Sequence, residues 1–283
     1  MSDAGARAHQ CGLLELHAAA DARGRTYLAQ RRQRFPLRIT TPMYLDPGDT
    51  GMAYCYVQNP TGGVFADDRL SERLVIEPGA RLHVTSQSAT KLYRMDGGWA
   101  LQDVACRVGS GALLERIPDT LIPQAGSRFI QRTEVEVDDG AMFVSAETVA
   151  PGRIAFGERF EYDLLELRTE VRHGSRPLCV ETLRLEPGRL SPTRRGMLGS
   201  SDYVATLLVV APGRDGNGLA AEIDRALAAL TDVHGAAGPL DGGVGATVRI
   251  LADSAPAVRR GLRSAWRAAR ARLLGLSLPR ERK

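Results

Sequence analysis

The sequence predicts a mainly β fold: a solenoid-like, helical stack of β-strand pairs with a C-terminal β-α-β-α element that contributes two helices. Apolar residues alternate with polar ones, as at Leu74, Ile76 and Leu82, which predicts strands with one buried face. A Gly-Ala turn recurs along the chain, and the C-terminal third changes to the apolar period of a helix. These three observations determine the predicted fold class.

The strand pairs follow one repeated pattern, in which two alternating stretches flank a polar residue and a Gly-Ala turn. Its copies occupy residues 71–94, 101–123 and 131–153, with a weaker fourth at 165–188. The Gly-Ala pairs lie at 79–80, 111–112 and 140–141. Glycine permits the positive φ of a tight corner, and a repeat of about 30 residues is typical of stacked units. We expect a β-rich body over residues 12–190, with an up-and-down barrel as the alternative.

The next segment, residues 191–275, reads as strand, helix, strand and helix. The strands are predicted at 203–211 and 246–252, and a glycine-rich loop is predicted at 235–246. Asn217 is the expected cap of the first helix, and Ser254 is the expected cap of the second. The second helix should bury one stripe of residues and expose arginines: Val258, Leu262, Ala265, Ala269 and Leu273 form the stripe.

The domain organisation follows from the absence of a clean linker in the sequence. We predict a disordered N-terminus at 1–11 and a single domain over 12–283. The domain comprises the β-rich body at 12–190, the β-α-β-α element at 191–275 and a basic tail at 276–283.

Charge is distributed unevenly along the 283 residues, whose formal net charge is +4. Residues 256–283 hold nine basic residues and one acid, which leaves 28 basic and 32 acidic residues in the rest. The basic character is therefore local and does not indicate a general nucleic-acid surface. No apolar run approaches the ~18–20 residues of a membrane helix, and the N-terminus lacks the apolar region of a signal peptide. We expect a cytoplasmic protein with no membrane or nucleic-acid partner.

The cysteines and carboxylates show no compact metal motif. Cys11, Cys55, Cys106 and Cys179 are far apart in sequence, which favours reduced thiols over a zinc site. Several acids stand at or near predicted strand ends: Glu115, Asp119, Glu147, Glu158 and Glu181. Strand alternation could turn some of them inward, where a carboxylate needs a partner or a metal.

Four sequence blocks, taken in order, resemble those of one protein family. They are PTGGVFADDRL (60–70), SQSATKLYR (86–94), ALLERIPDTLIP (112–123) and ETVAPGRIAFGERF (147–160). The family is that of urease accessory protein D, also called H in some organisms. The chain departs from the family pattern at Thr61, Asp67 and Arg116, the last of which stands where the family has Trp.

The resemblance implies a non-enzymatic maturation chaperone with a β-rich helical stack and two helices. Such a protein binds apo-urease and the accessory proteins F and G, of which G hydrolyses GTP. Its cargo is nickel(II), held transiently and passed to the urease active site through an internal polar channel. GTP enters only through that partner GTPase.

The same resemblance, matched position by position, implies which residues serve the channel. Four are expected to line it: Asp68, Thr90, Glu147 and Glu181. Five more are expected at an interface or in a structural role: Lys91, Tyr93, Arg94, Arg153 and Glu158. Carboxylates and hydroxyls suit the borderline nickel ion, and a transfer path needs several weak sites rather than one tight site.

Two other function classes remain as alternatives from the residues. A carboxylate-based hydrolase would use a pair such as Glu115 and Asp119 facing a cleft. Only 5% of residues are aromatic, which offers little stacking surface for a sugar. A passive β scaffold would show no metal dependence.

Overall fold

A computed structural model describes residues 10–48 and 50–280. The N-terminal segment predicted to be disordered lies outside the described residues as far as residue 9. Cys11, which that prediction includes, is instead the first residue of a strand. The predicted basic tail is described only over 276–280.

Eighteen strands and two α-helices make up the described chain. The strands of the N-terminal half are β1 (Cys11–Ala20), β2 (Thr26–Arg34), β3 (Arg38–Ile39), β4 (Ala53–Gln58), β5 (Gly63–Val64), β6 (Arg69–Ile76), β7 (Arg81–Ser86), β8 (Thr90–Leu92), β9 (Ala100–Val108), β10 (Leu113–Arg116), β11 (Leu121–Pro123) and β12 (Arg128–Val137). The remaining elements are β13 (Met142–Val149), β14 (Leu164–His173), β15 (Arg176–Leu185), β16 (Tyr203–Val210), α1 (Gly216–Ala228), β17 (His234–Pro239), β18 (Gly245–Ala252) and α2 (Ala255–Leu274).

The strands form two facing sheets. Sheet A has the order β15-β14-β12-β9-β6-β1-β2, and the main path of sheet B is β17-β18-β16-β13-β10-β7-β4-β3. The central strands of both sheets run parallel, because each coil contributes one strand to sheet A and the next to sheet B. Both sheets have open edges, so neither closes into a barrel. The alternative of an up-and-down barrel is therefore wrong, and the predicted solenoid-like stack is confirmed.

The Gly-Ala turns are the corners at which the chain passes from sheet A to sheet B. Gly79, Gly111 and Gly140 all have φ near +70°, which glycine adopts without steric cost. The amide of Gly79 donates to Ser110 O and that of Gly111 donates to Asp139 O, each at 3.0 Å. Successive corners therefore stack directly on one another and set the register of the coils.

The weak fourth copy of the repeat folds differently from the other three. β14 and β15 pair with each other as an antiparallel hairpin within sheet A. The chain therefore does not cross to sheet B at Gly174, and β15 becomes the edge that ends the stack. The prediction of a fourth equivalent coil is wrong.

The C-terminal element differs in two details from its prediction. Asp215, and not Asn217, caps α1, and its carboxylate accepts from Gly218 N. The predicted glycine-rich loop contains β17, an edge strand paired with β18, so the order is β-α-β-β-α. Ser254 caps α2 as predicted, with its side chain accepting from Ala257 N.

Two apolar cores result from this arrangement. One lies between the sheets, around residues such as Leu74, Phe129 and Phe143. The other lies between sheet B and the helices, around Leu207 and Ile250. Neither helix in the described ranges combines the length and apolar composition that a membrane span requires.

A buried ionic cluster fixes α2 on sheet B. The guanidinium of Arg270, only 1% exposed, donates to Glu115 at 2.8 Å and to Asp46 at 2.6 Å. Glu115 is fully buried and also accepts from Trp266 Nε1 at 3.2 Å. The sequence places Arg270 on the exposed basic face of α2, and the structure corrects that assignment. A buried guanidinium is stable here because two carboxylates accept its hydrogen bonds and oppose its charge.

We predict that Arg270→Ala destabilises the protein by about 3–5 kcal/mol, because Glu115 would be left buried without its counter-charge. Urea denaturation followed by circular dichroism measures the change. Arg267→Ala is the matched control, since that arginine lies on the same helix and is exposed. Equal stability of the two variants would contradict the role assigned to the cluster.

Candidate functional site

The space between the two sheets contains a line of polar and charged side chains that crosses the apolar core. We call this set the interior polar row. It consists of Glu72, Gln102, Arg116, Gln131, Glu147, Glu181 and Arg249. Three contacts between the sheets connect its members, one at each end and one in the middle.

The first contact joins Glu72 of sheet A to Arg116 of sheet B. Arg116 Nη2 lies 3.5 Å from Glu72 Oε2, and both side chains are buried. Gln102 also donates to Glu72, at 2.5 Å. Glu72 therefore has both a counter-charge and an amide donor.

The middle contact joins Gln131 of sheet A to Glu147 of sheet B. Gln131 Nε2 lies 2.5 Å from Glu147 Oε1. Burial raises the pKa of Glu147 above its ordinary value, an effect opposed by the charge of Arg116 and the hydrogen bond from Gln131. Within the described chain, no guanidinium lies within ion-pair distance of Glu147.

The third contact joins Glu181 of sheet A to Arg249 of sheet B. Arg249 Nη2 is in ion-pair contact with Glu181 Oε1, and Arg249 Nη1 donates to Thr206 at 2.8 Å. Thr247 lies 3.5 Å from the second oxygen of Glu181. The side chain of Arg249 is 40% exposed, so this end of the row reaches the protein surface.

Strand register explains the alignment of the row. On sheet B, Thr206 of β16 stands directly opposite Glu147 of β13 on one side and Arg249 of β18 on the other. On the other sheet, the row extends from β6 to β15, which are four strand steps apart. At about 4.8 Å per step, it spans roughly 19 Å. The row therefore crosses the stack perpendicular to its strands.

A cavity of about 100 Å³ lies along the first two contacts of the row. Its lining includes Glu72, Arg116 and Glu147. It also includes Gln87 and Ser88, which are exposed, so the cavity reaches the surface at that loop. Three carboxylates and two guanidiniums make up the charges of the row, which leaves one carboxylate in excess when all are ionised.

Three of the four residues expected to line a channel lie in this region. Glu147 and Glu181 belong to the interior polar row, and Thr90 lines the cavity near its surface opening. Their roles as nickel ligands stay predictions.

Asp68, the fourth, occupies a different environment. Its carboxylate is buried and accepts from the backbone amides of Phe65 at 2.9 Å and Gln10 at 3.1 Å. It therefore holds together the turn that precedes β6. Among the described residues, the lining of the cavity does not include it.

Of the five residues expected at an interface or in structural roles, three lie in β8 of the short β5, β8 and β11 ladder or directly after it. Tyr93 stacks on Phe65 with ring centroids 4.6 Å apart, Arg94 Nε lies 3.3 Å from Asp96, and Lys91 is exposed.

The other two, Arg153 and Glu158, form an ion pair through two guanidinium nitrogens. The hydrogen bonds from Arg153 lower the pKa of Glu158, which also accepts from Ala125 N at 3.3 Å. Arg153 and Glu158 thus close the loop that carries the exposed Phe156.

The carboxylates proposed for a hydrolase do not form a pair in a cleft. Glu115 is enclosed by His83, Trp266 and Arg270 beneath α2. Asp119 instead stands at the rim of the cavity, 3.6 Å from Arg259. Acid–base hydrolysis needs two carboxylates that both reach the substrate, and Glu115 cannot.

The cysteines are unpaired, but Cys106 lies close enough to Glu72 and Arg116 to interact electrostatically with them, as Cys179 does with Glu181. Burial raises the pKa of both Cys55 and Cys106 to about 12, which keeps them as thiols. Cys11 is exposed and Cys179 is half-buried. The described residues contain no group of three or more His, Cys, Asp or Glu side chains arranged to hold a metal.

Sequence reasoning missed Glu72, Gln102, Arg116, Gln131 and Arg249 as members of the site. A signal for several of them is present in the strand alternation. Glu72 has the same parity as the buried Leu70 and Leu74, and Gln131 has that of the buried Phe129. A polar residue at an inward position of an otherwise apolar face marks a buried polar contact.

Comparison with known proteins gives one consistent result. The family model of the UreD urease accessory protein matches residues 10–283. A urease accessory protein UreD of Mycolicibacterium gilvum is 38% identical over 265 residues, covering 94% of this chain and 96% of that protein. A urease accessory protein UreD 2 of Streptomyces griseus is 41% identical over 272 residues, covering 93% and 90%. A urease accessory protein UreD of Cenarchaeum symbiosum is 33% identical over 261 residues, covering 92% and 91%.

We predict that Glu147→Gln becomes increasingly stable relative to the wild type as pH rises from 4.5 towards neutrality. The raised pKa means that folded Glu147 binds a proton more strongly than unfolded Glu147, so its contribution to stability falls as pH rises. The neutral amide lacks that contribution. Urea midpoints over a pH series measure the difference. Glu134→Gln, on the exposed face of β12, is the control. A stability difference between Glu147→Gln and the wild type that does not change with pH would contradict the conclusion that burial makes the ionised form of Glu147 costly.

We predict that Asp68→Ala lowers the free energy of unfolding by about 1–3 kcal/mol, since it leaves two backbone amides without their acceptor. Thermal and urea unfolding measure the loss. Asp103→Ala, at an exposed position of β9, should change stability little. Wild-type stability of Asp68→Ala would show that the carboxylate is not structural.

Proposed function

Because the chain belongs to the UreD urease accessory protein family, and thus has a role in urease maturation, we propose that it is a non-enzymatic chaperone passing nickel(II) to apo-urease. The nickel ion is its cargo and moves along the interior polar row. The observation that carries this proposal is the excess carboxylate of that row, Glu147, which faces a cavity open to the surface.

The chemistry of the row supports a cation as its cargo. Glu72 and Glu181 are each neutralised by an arginine, whereas the described partner of Glu147 is an uncharged amide. Burial without a guanidinium in direct ion-pair contact makes the ionised form costly, and a cation that binds there would offset that cost. Glu147 is therefore the position at which a cation gains most from entering.

The spacing of the carboxylates supports transit rather than storage. One carboxylate stands at each contact between the sheets, so an ion would meet single carboxylates together with amide and hydroxyl oxygens. Nickel(II) accepts oxygen ligands of this kind but prefers richer nitrogen or sulfur sites. An ion held weakly at successive points can move between them and leave.

The arginines of the row would also control which ions pass. Arg116 lies beside Glu72 and Arg249 beside Glu181, so each guanidinium competes with a cation for its carboxylate. This competition keeps the affinity low at both ends. It also leaves Glu147 as the point of strongest attraction between them.

The proposed partners are apo-urease, from which the family takes its name, and the accessory proteins F and G. GTP hydrolysis belongs to protein G, and this chain contributes the path for the ion. Maturation is proposed to take place in the cytoplasm. The chain itself performs no chemical conversion in this account.

We predict that Glu147→Gln lowers the nickel content of urease several-fold when cells grow with limiting nickel. The substitution keeps the shape and a hydrogen-bonding group at Gln131 but removes the excess negative charge. Elemental analysis of purified urease, together with its activity, measures the effect. Glu134→Gln should load urease normally, since that side chain lies on the solvent face of β12.

Copurification with urease and the other accessory proteins shows whether each variant still assembles. A variant that assembles but delivers little nickel supports transit along the row. Full loading of urease by both Glu147→Gln and Glu147→Ala at limiting nickel would exclude Glu147 from the path.

A further inference from the structure

Sheet B is interrupted beside the interior polar row. β10 ends at Arg116, and Pro118 two residues later has no amide hydrogen to continue the ladder. The amide of Asp119 donates to the side chain of Ser86 at 2.8 Å instead of to a neighbouring backbone. On the β13 side, pairing stops at Ser145 and resumes at Val149. The sheet therefore has a gap at Pro118–Asp119.

The gap lies between two cavities on opposite faces of sheet B. The cavity of the interior polar row is on the inner face. A second cavity, of about 80 Å³, lies on the outer face between the sheet and α2. Both are lined by the same four residues at the gap: Thr85, Pro118, Asp119 and Thr148. The two cavities thus meet where the ladder is broken.

The chemistry of the gap suits a cation. Asp119 contributes a carboxylate, and Thr85 and Thr148 are the hydroxyl residues on the flanking strands. Arg259 of α2 lies 3.6 Å from Asp119, and its side chain is 65% exposed while that of Asp119 is 15% exposed. The guanidinium of Arg259 therefore lies largely in solvent, whereas the carboxylate of Asp119 is mostly buried at the gap.

We propose that the gap at Pro118–Asp119 is a second opening of the interior cavity, which leads to the groove beneath α2. A small divalent cation would pass through it with Asp119 as a transient ligand and Arg259 as the competing charge. The identity of the ion rests on the nickel function proposed above, whereas the opening rests on the geometry alone. The two claims can therefore fail separately.

The opening is tested by the accessibility of a cysteine placed inside the cavity. The background is full-length protein carrying Glu147→Cys, with Cys11→Ser and Cys179→Ser to remove the more exposed thiols. The probe is methyl methanethiosulfonate, which adds only a thiomethyl group, and intact-protein mass spectrometry follows the labelling. Ser88→Trp fills the surface opening of the cavity, and Asp119→Trp fills the gap. Ser88→Ala and Asp119→Ala are the matched controls that leave space.

We expect labelling to continue in the Ser88→Trp protein and to be lost when Asp119→Trp is added, but not when Asp119→Ala is added. Circular dichroism confirms that each variant folds before it is labelled. Loss of labelling with Ser88→Trp alone would overturn the second opening, as would labelling that Asp119→Trp leaves unchanged. Neither result affects the nickel proposal, which is decided separately by the nickel content of urease with Glu147→Gln.

Discussion

The structure depends on how charged side chains are accommodated between two sheets that are otherwise packed by apolar residues. An unpaired buried charge is costly, so each must meet a partner from the facing sheet. Glu72 meets Arg116 and Glu181 meets Arg249, and these contacts fix the alignment of the sheets at the two ends of the row. Among the described residues, the hydrogen-bond partner of Glu147 is the amide of Gln131. The same packing constraint thus leaves one carboxylate in excess at a cavity, and the proposed function relies on that excess.

The opposite face of sheet B is organised by a second set of buried charges with a different outcome. There Glu115 and Asp46 are both in ion-pair contact with Arg270, so each carboxylate has a guanidinium partner, and little space remains. This cluster stabilises α2 on the sheet rather than offering a binding site. By holding α2 in place, it also positions the helix that forms the outer wall of the groove that meets the interior cavity at Asp119.

Local patterns in the sequence were sufficient to predict the stack, its corners and the second helix with its Ser254 cap. Those features depend on residues that are close together in the sequence. The buried charges could not be predicted in this way. Arg270 and Asp46 are 224 positions apart, and an arginine is usually exposed. Arg116 departs from the family pattern, and only the facing sheet reveals its pairing with Glu72. The motif match at Asp68 could not distinguish a turn carboxylate from a channel group, since both require an acid at that position.

The most direct test of the account is the nickel content of urease from cells with and without this chain, with the other urease genes intact. We expect abundant urease protein that is poor in nickel without the chain and loaded with nickel when the chain is restored. Equal nickel content in both strains would contradict a role in nickel delivery. The excess carboxylate between the sheets would then need a different explanation.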